Sequence, residues 1–537
     1  MNFINRAFKN VTRRMSKTVL LLLTFFLIGN LVIIGLGVSN ASKSAKVLTR
    51  QKMRAVVTYA LDHNKINQYI QEITDEDELN KFYENYPRIK LADVQELLKD
   101  ERVKTANALS SATLYAPSDN SIDFVHLNNR VEENMNEGNG QSCWFDENGN
   151  QQCETYREPT FFVKANMFPN MIEFEDGDYQ LTNGRFYSQD EINNGSPVVI
   201  VSENFASTNG IGVGDNITIA TNYLASYMKE IGVTQEDLET SFEVIGIFSH
   251  NKPITPDASN YDYTWPYENP DNMFFMPSTS LYAAQLEFSR KQWDYYAQQF
   301  PEEEFYQNEA NRPSLENMEN NMYIENVTLL LNDPLEVEQF VLDNQNSISQ
   351  FTSLDANNEE FNRLAKPLDT LSMYANFIVW LVVINAIVII TLVTALTLKT
   401  REYEIGVLLS VGASKMKVIG QFFVELALVA ILGFTLSVVS GSLIAKQIGN
   451  TVLEYQISSS DVTNEDDFTY YYNDLWNTDY STDITIDDLI AEYDVSVSPI
   501  IIAEIYVLGL AIVLISVIIP SFMIMRYNPK KILMNQN

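Results

Sequence analysis

Histidine and cysteine are almost missing from this chain of 537 residues, which has three of the first (His63, His126, His250) and two of the second (Cys143, Cys153). A transition-metal centre needs several nitrogen or sulfur ligands brought together. No histidine lies near either cysteine in sequence, so that chemistry is not expected. Basic residues are scarce as well, 36 Lys and Arg against 70 Asp and Glu, for a net charge of −34. So acidic a chain is a poor partner for nucleic acid. A nucleotide-binding loop is also lacking. The nearest stretch, Gly406 to Lys415 (GVLLSVGASK), has no lysine directly after its second glycine to reach phosphates. It also lies between two apolar runs rather than after a strand. There is no Ser/His/Asp constellation. Neither catalysis nor a directly bound cofactor is expected of this chain.

Long apolar runs, by contrast, are present at 18–39, 373–398, 418–445 and 500–525. About 20 helical residues cross a hydrocarbon core, and lipid offers the backbone no hydrogen bonds, so such runs are held to helix. The first two are free of charge; the third carries Glu425 near its start, and the fourth carries Glu504 near its start and Pro520 near its end. A charge near a span end costs less than one at the bilayer centre, so a structural role is expected for both acids rather than proton transfer. The run from Thr18 to Val38 is longer than the roughly 7–15 residues of a signal-peptide core and reads as an uncleaved anchor.

Charge gives these spans a direction. Around the first the count is tied, with Arg6, Lys9, Arg13, Arg14 and Lys17 before it and Lys43, Lys46, Arg50, Lys52 and Arg54 after it. The later segments break the tie. Segment 399–417 carries Lys399, Arg401, Lys415 and Lys417, and 526–537 carries Arg526, Lys530 and Lys531, whereas 446–499 has only Lys446. The positive-inside rule then puts both termini in the cytoplasm. The inner segments 1–17, 399–417 and 526–537 hold twelve basic and two acidic residues, a net of +10, which leaves −44 for the rest. That acidity argues against anionic lipid as a partner of the outer domain and is compatible with a cationic peptide.

The segments between the runs differ in texture. Residues 1–17 place apolar and basic positions at helical spacing, an amphipathic helix on the inner membrane face. Residues 40–112 read as mainly helical, a stalk prolonging the first span. From about 113 short β-rich runs follow, at 161–163, 198–201, 217–220, 242–248 and 327–331, with helices near 222–231 and 280–299. This predicts an α+β extracytoplasmic domain over 40–372, with a loop-rich or partly helical insertion at about 250–325. The whole is an α-helical membrane protein with four transmembrane helices and one large outer domain. A second outer segment, the acidic loop 446–499, holds Tyr470, Tyr471, Tyr472, Trp476 and Tyr480. Cys143 and Cys153 flank an Asn-Gly turn signal in the outer domain, where an oxidising compartment favours a disulfide over two thiols.

Two stretches carry mechanism. In 399–417 a short amphipathic helix, 403–409, is broken by Gly412, Ala413 and Ser414, and a rigid helix between two spans suits the transfer of force. On the third span Gly433, Ser437 and Gly441 recur every four residues, a small-residue stripe that permits close helix approach. It fits a dimer face and packing within one chain equally well.

From Lys399 to Lys415 (KTREYEIGVLLSVGASK), with Gln421–Glu425 (QFFVE) and the tail Arg526–Leu533, the chain resembles the FtsX-like permeases of ABC transporters. In the outer region Leu181–Phe186, Pro197–Glu203, Gly212–Asp215 and Phe242–Phe248 are similar, in order, to the MacB periplasmic core domain. The resemblance implies a non-catalytic permease subunit in a bacterial cell membrane, paired with a second permease subunit and surrounded by lipid. It also implies a separate cytoplasmic ATPase that holds ATP and Mg²⁺, contacted through Tyr403, Glu404, Ile405, Gly406, Leu408 and Leu409. ATP-driven motion would reach the outer domain for export or handling of a peptide or amphiphile. Two alternatives share these features: a scaffold regulating an extracellular cell-wall hydrolase, and a peptide-sensing component without transport.

Overall fold

A computed structural model describes residues 3–13, 15–126, 139–145, 151–157, 159–250, 266–318, 322, 324, 326–356, 358–458 and 490–526. The chain divides into two units, one of Met1–Lys52, Glu359–Glu465 and Asp483–Asn537, the other of Met53–Asn358 and Asp466–Thr482.

The first unit is helical. An N-terminal helix, Phe3–Arg13, precedes four helices long and apolar enough to cross a membrane: Met15–Lys52, Asn358–Thr400, Lys415–Ser458 and Pro499–Arg526. They are called the first to fourth spans below. Each extends beyond its apolar run. A further helix, Glu402–Ser410, lies between the second and third spans. The core is almost purely aliphatic and aromatic, with Phe25, Ile33, Ala386, Ile390, Phe422, Ala430, Phe434, Ile505 and Val513 buried. At the outer end Tyr493 and Val495, just ahead of the fourth span, pack with Val38, Ala41 and Leu453. Ion pairs Lys46–Asp369 (2.8 Å) and Lys52–Glu492 (2.6 Å) lie on this more exposed end.

The second unit holds two sheets and a hairpin. Strands β1 (Val56–Leu61), β2 (Val103–Asn107), β12 (Asn326–Leu331) and β13 (Thr352–Asp355) form one sheet in the order β13-β1-β12-β2. The larger sheet contains β3 (Leu109–Leu114), β6 (Phe161–Asn166), β7 (Tyr179–Gly184), β8 (Val198–Ser202), β9 (Asn216–Ala220), β10 (Glu239–His250) and β11 (Met273–Pro277). Its order is β3-β6-β11-β8-β10-β7, with β9 on β10. The central strands are buried on both faces, hence their unbroken apolar sequences. In β8, Val199 and Val201 face one cluster with Phe205 and Phe274, while Val198 and Ile200 face another with Tyr187 and Phe275. The hairpin pairs β4 (Asn139–Phe145) with β5 (Gln151–Arg157). Beside β7, Arg185 grips Glu191 with two nitrogens and holds its carboxyl down at about 2, while Ser188 and Glu191 complete a capping box.

Two sequence expectations meet a different outcome. Residues 40–112 are not one helical stalk. The first span ends at Lys52, and β1, β2 and β3 follow among three short helices. Strand β1 (VVTYAL) is a central strand whose Val57, Tyr59 and Leu61 pack into a core with Ile66, Val94 and Phe340. Nor is 250–325 only loop and helix, although the helix expected near 280–299 is present. Strand β11 is fully buried between β6 and β8, and the helix Ser278–Gln299 adds Leu281 and Ala284 to the same core. The apolar run Met273–Pro277 is only five residues long and was masked by its polar flanks. The aromatic residues Tyr470–Tyr472, Trp476 and Tyr480, and the tail beyond Arg526, lie outside the described residues.

Candidate coupling site

The second span keeps its helical bonding to Thr400, and Arg401 (φ −110°, ψ 17°) turns the chain into the helix Glu402–Ser410. That helix closes tightly at its far end. The Gly412 N–H donates to the Leu409 carbonyl at 3.1 Å and the Ala413 N–H to the Leu408 carbonyl at 3.0 Å, the double bond of a Schellman cap. Gly412 sits at φ +93°, where a β-carbon is strained, so glycine fits there and sets the sharp reversal into the third span.

Arg401 is the fixed point of this turn. Its side chain is 5% exposed; Nε donates to Glu404 Oε2 at 2.9 Å and Nη1 to Glu425 Oε2 at 2.8 Å. The guanidinium also lies 4.7 Å from the Phe422 ring centroid. The other oxygen of Glu425, Oε1, accepts from Asn10 Nδ2 and from Gln421 Nε2, both at 2.9 Å. Buried charges are costly unless paired and hydrogen-bonded; here Arg401 is paired with Glu425, and both Glu425 oxygens accept hydrogen bonds. Beside this node is a cavity of about 60 Å³ whose lining includes Asn10, Thr394, Thr397, Arg401, Phe422 and Glu425. It is large enough to admit water.

The structure divides the six coupling candidates. Tyr403 and Glu404 are exposed, Leu408 and Leu409 half-buried, and Ile405 and Gly406 buried against the membrane core. The exposed apolar face instead runs through Tyr403 (51% exposed), Val407 (38%) and Val411 (82%), with Met416 (73%) at the start of the third span. Apolar residues crowd this short helix, so spacing alone does not separate Val407 and the following Val411 from the residues that pack inward. Glu404 faces Arg401 as well as solvent, so it serves the node.

The small-residue stripe lies against the first span. A β-carbon on Gly433 would stand 2.7 Å from Phe25 Cβ, one on Gly441 3.0 Å from Ile33, and one on Gly29 2.2 Å from Ser437 Oγ. Large residues thus face small ones alternately: Phe25 on Gly433, Ser437 on Gly29, Ile33 on Gly441. The Ser440 hydroxyl adds a bond to Asn30 Oδ1 at 2.9 Å. Glu504 is not part of the node.

Two family profiles match the chain. Residues 31–341 match the MacB-like periplasmic core domain, and residues 376–529 match the FtsX-like permease C-terminal region. The chain belongs to the MacB-type, FtsX-like permeases of ABC transporters. A protein of Bacillus subtilis (strain 168) described as the uncharacterized ABC transporter permease YclI is 25% identical over 446 residues, 83% of this chain and 80% of that one. Among solved structures, the periplasmic region of MacB from Actinobacillus actinomycetemcomitans covers 57% of this chain and 91% of that one, at 9% identity and a TM-score of 0.26. The extracellular domain of the noncanonic ABC-type transporter YknZ from Gram-positive bacteria covers 56% and 98%, at 10% identity and a TM-score of 0.24. This permease is accordingly a multi-pass membrane protein. Arg401, Glu404, Gln421 and Glu425 fall within the permease match, whereas Asn10 lies outside both matches.

Proposed function

We propose that this permease transmits ATP-driven motion from a separate cytoplasmic ATPase, the holder of ATP and Mg²⁺, to its outer domain. The work done there is export or handling of a peptide or amphiphilic substrate, in company with a second permease subunit. The observation that carries this reading is an exposed apolar face, Tyr403 and Val407 on a helix anchored through the buried Arg401, and Val411 just past its end. Exposed apolar side chains gain about 1.5–3 kcal/mol each on full burial, which favours a docked partner. A helix end pinned by ion pairs conveys displacement instead of absorbing it. The acid excess outside the inner segments, −44 in all, favours a cationic substrate.

The test is co-purification from native membranes in mild detergent. The double substitution Val407→Asp with Val411→Asp is expected to cut recovery of an ABC ATPase at least tenfold, with monodispersity unchanged. Undiminished recovery sinks the docking face.

The disulfide belongs to the same reading of an outer domain in an oxidising compartment. Cys143 and Cys153 are directly opposed in the β4–β5 register, while their side chains lie outside the described residues. Directly opposed positions place Cβ atoms about 4.5–5.5 Å apart, near the span of a disulfide. We expect a thiol reagent to label neither cysteine in the unfolded, unreduced chain and both after reduction. Labelling without reductant overturns the bond.

A further inference from the structure

The N-terminal helix belongs to neither family match, yet it reaches the centre of the coupling site. Ala7 is fully buried, Val11 packs on the apolar core, and the Thr18 hydroxyl donates to the Val11 carbonyl at 2.9 Å. The helix is therefore fixed to the unit and not merely tethered to it. From this base Asn10 donates to Glu425, which lies 415 residues away in sequence. Glu425 holds Arg401, and Arg401 holds Glu404 on the docking helix.

Charge makes the Asn10 bond matter. The Glu425 carboxylate is charged, and Arg401 meets it at Oε2. Two neutral donors hold its other oxygen, Oε1: Gln421, one turn back on the same span, and Asn10, from another helix. Hydrogen bonds to a charged group are stronger than those between neutral groups, so losing one frees Glu425 to shift. The adjoining cavity gives Glu425 and Arg401 room to move.

We propose that Asn10 is a positioning residue of the coupling site, and that the N-terminal helix sets the stance of the docking helix through Glu425 and Arg401. This inference rests on the reading of Glu402–Ser410 as a docking helix, and its test has a readout independent of that reading. The full chain in lipid nanodiscs is compared as wild type, Asn10→Ala and Asn10→Gln by hydrogen–deuterium exchange. Asn10→Ala is expected to speed exchange of the Ile405–Ser410 amides about tenfold, with the third and fourth spans unchanged, and Asn10→Gln to restore most of the protection. Stimulation of a co-purified ATPase should fall at least fivefold in Asn10→Ala while the ATPase remains bound. Unchanged exchange at 405–410, or faster exchange confined to 3–13, overturns the proposal. Faster exchange at 405–410 in a chain whose wild type captures no ATPase upholds the positioning and rejects the docking reading.

Discussion

Gly433→Leu is expected to push the first and third spans apart, lowering the thermal midpoint of the detergent-solubilised chain by roughly 5–10 °C. The reason lies in which atoms oppose the new side chain. At Gly433 a β-carbon meets Phe25 Cβ at 2.7 Å, the Phe26 backbone nitrogen at 3.2 Å and the Leu22 carbonyl oxygen at 3.3 Å. Backbone atoms of a packed helix cannot rotate aside, so the helices must separate and forfeit contacts along the whole seam. At Gly441 the nearest atoms are all Ile33 side-chain atoms at 3.0–3.1 Å, which a small shift relieves. Gly441→Ala is therefore expected to cost under about 1 kcal/mol and serves as the control. Equal midpoints for Gly433→Leu and wild type, measured by scanning fluorimetry, would remove the stripe from the seam.

The contrast between these glycines marks the limit of sequence reading in the membrane unit. Uncharged runs dictate helices because lipid leaves the backbone no other partner. The spacing of Gly433, Ser437 and Gly441 dictates a close approach. Neither dictates the partner, because the complementary residues Phe25, Gly29 and Ile33 are also helically spaced and lie some 400 residues earlier. The same holds for the helix Glu402–Ser410. Ile405, Leu408 and Leu409 are as apolar as Tyr403, Val407 and Val411, and only packing decides which set is spent on the core. Glu425 was legible as a charge near a span end, but its partners Asn10 and Arg401 were not. In the outer domain, strands with β-branched runs such as β8 and β12 were readable. Strand β1 was hidden by the polar helices after it, and β11 by its Tyr-, Asn- and Pro-rich surroundings.

Glu173→Leu is expected to destabilise the outer domain by about 3–5 kcal/mol, the largest loss from any single side chain considered. Glu173 and Lys164 have side chains only 3% and 7% exposed and meet at 3.1 Å. The second Glu173 oxygen accepts from Asn107 Nδ2 at 2.8 Å, and Asn107 Oδ1 accepts from the Ile172 N–H and from Asn166 Nδ2. Asn166 Oδ1 then accepts from the Ala108 N–H. Because Asn107 ends β2 and Asn166 ends β6, this network fastens the smaller sheet to the larger one. Removing the carboxylate takes the anion from a buried ammonium and an acceptor from Asn107 together, and breaking a buried pair from one side costs more than the intact pair gains. The pair itself need not be stabilising. Lys164→Met with Glu173→Gln keeps an acceptor for Asn107 and removes both charges, so this double variant is expected to recover most of the loss. Pulse proteolysis of the full chain in urea reads the difference. With a slope of about 3 kcal/mol/M, the midpoint should fall by roughly 1–2 M for Glu173→Leu and by far less for the double variant. Equal midpoints for the two variants would show that the charge pair does not carry the junction.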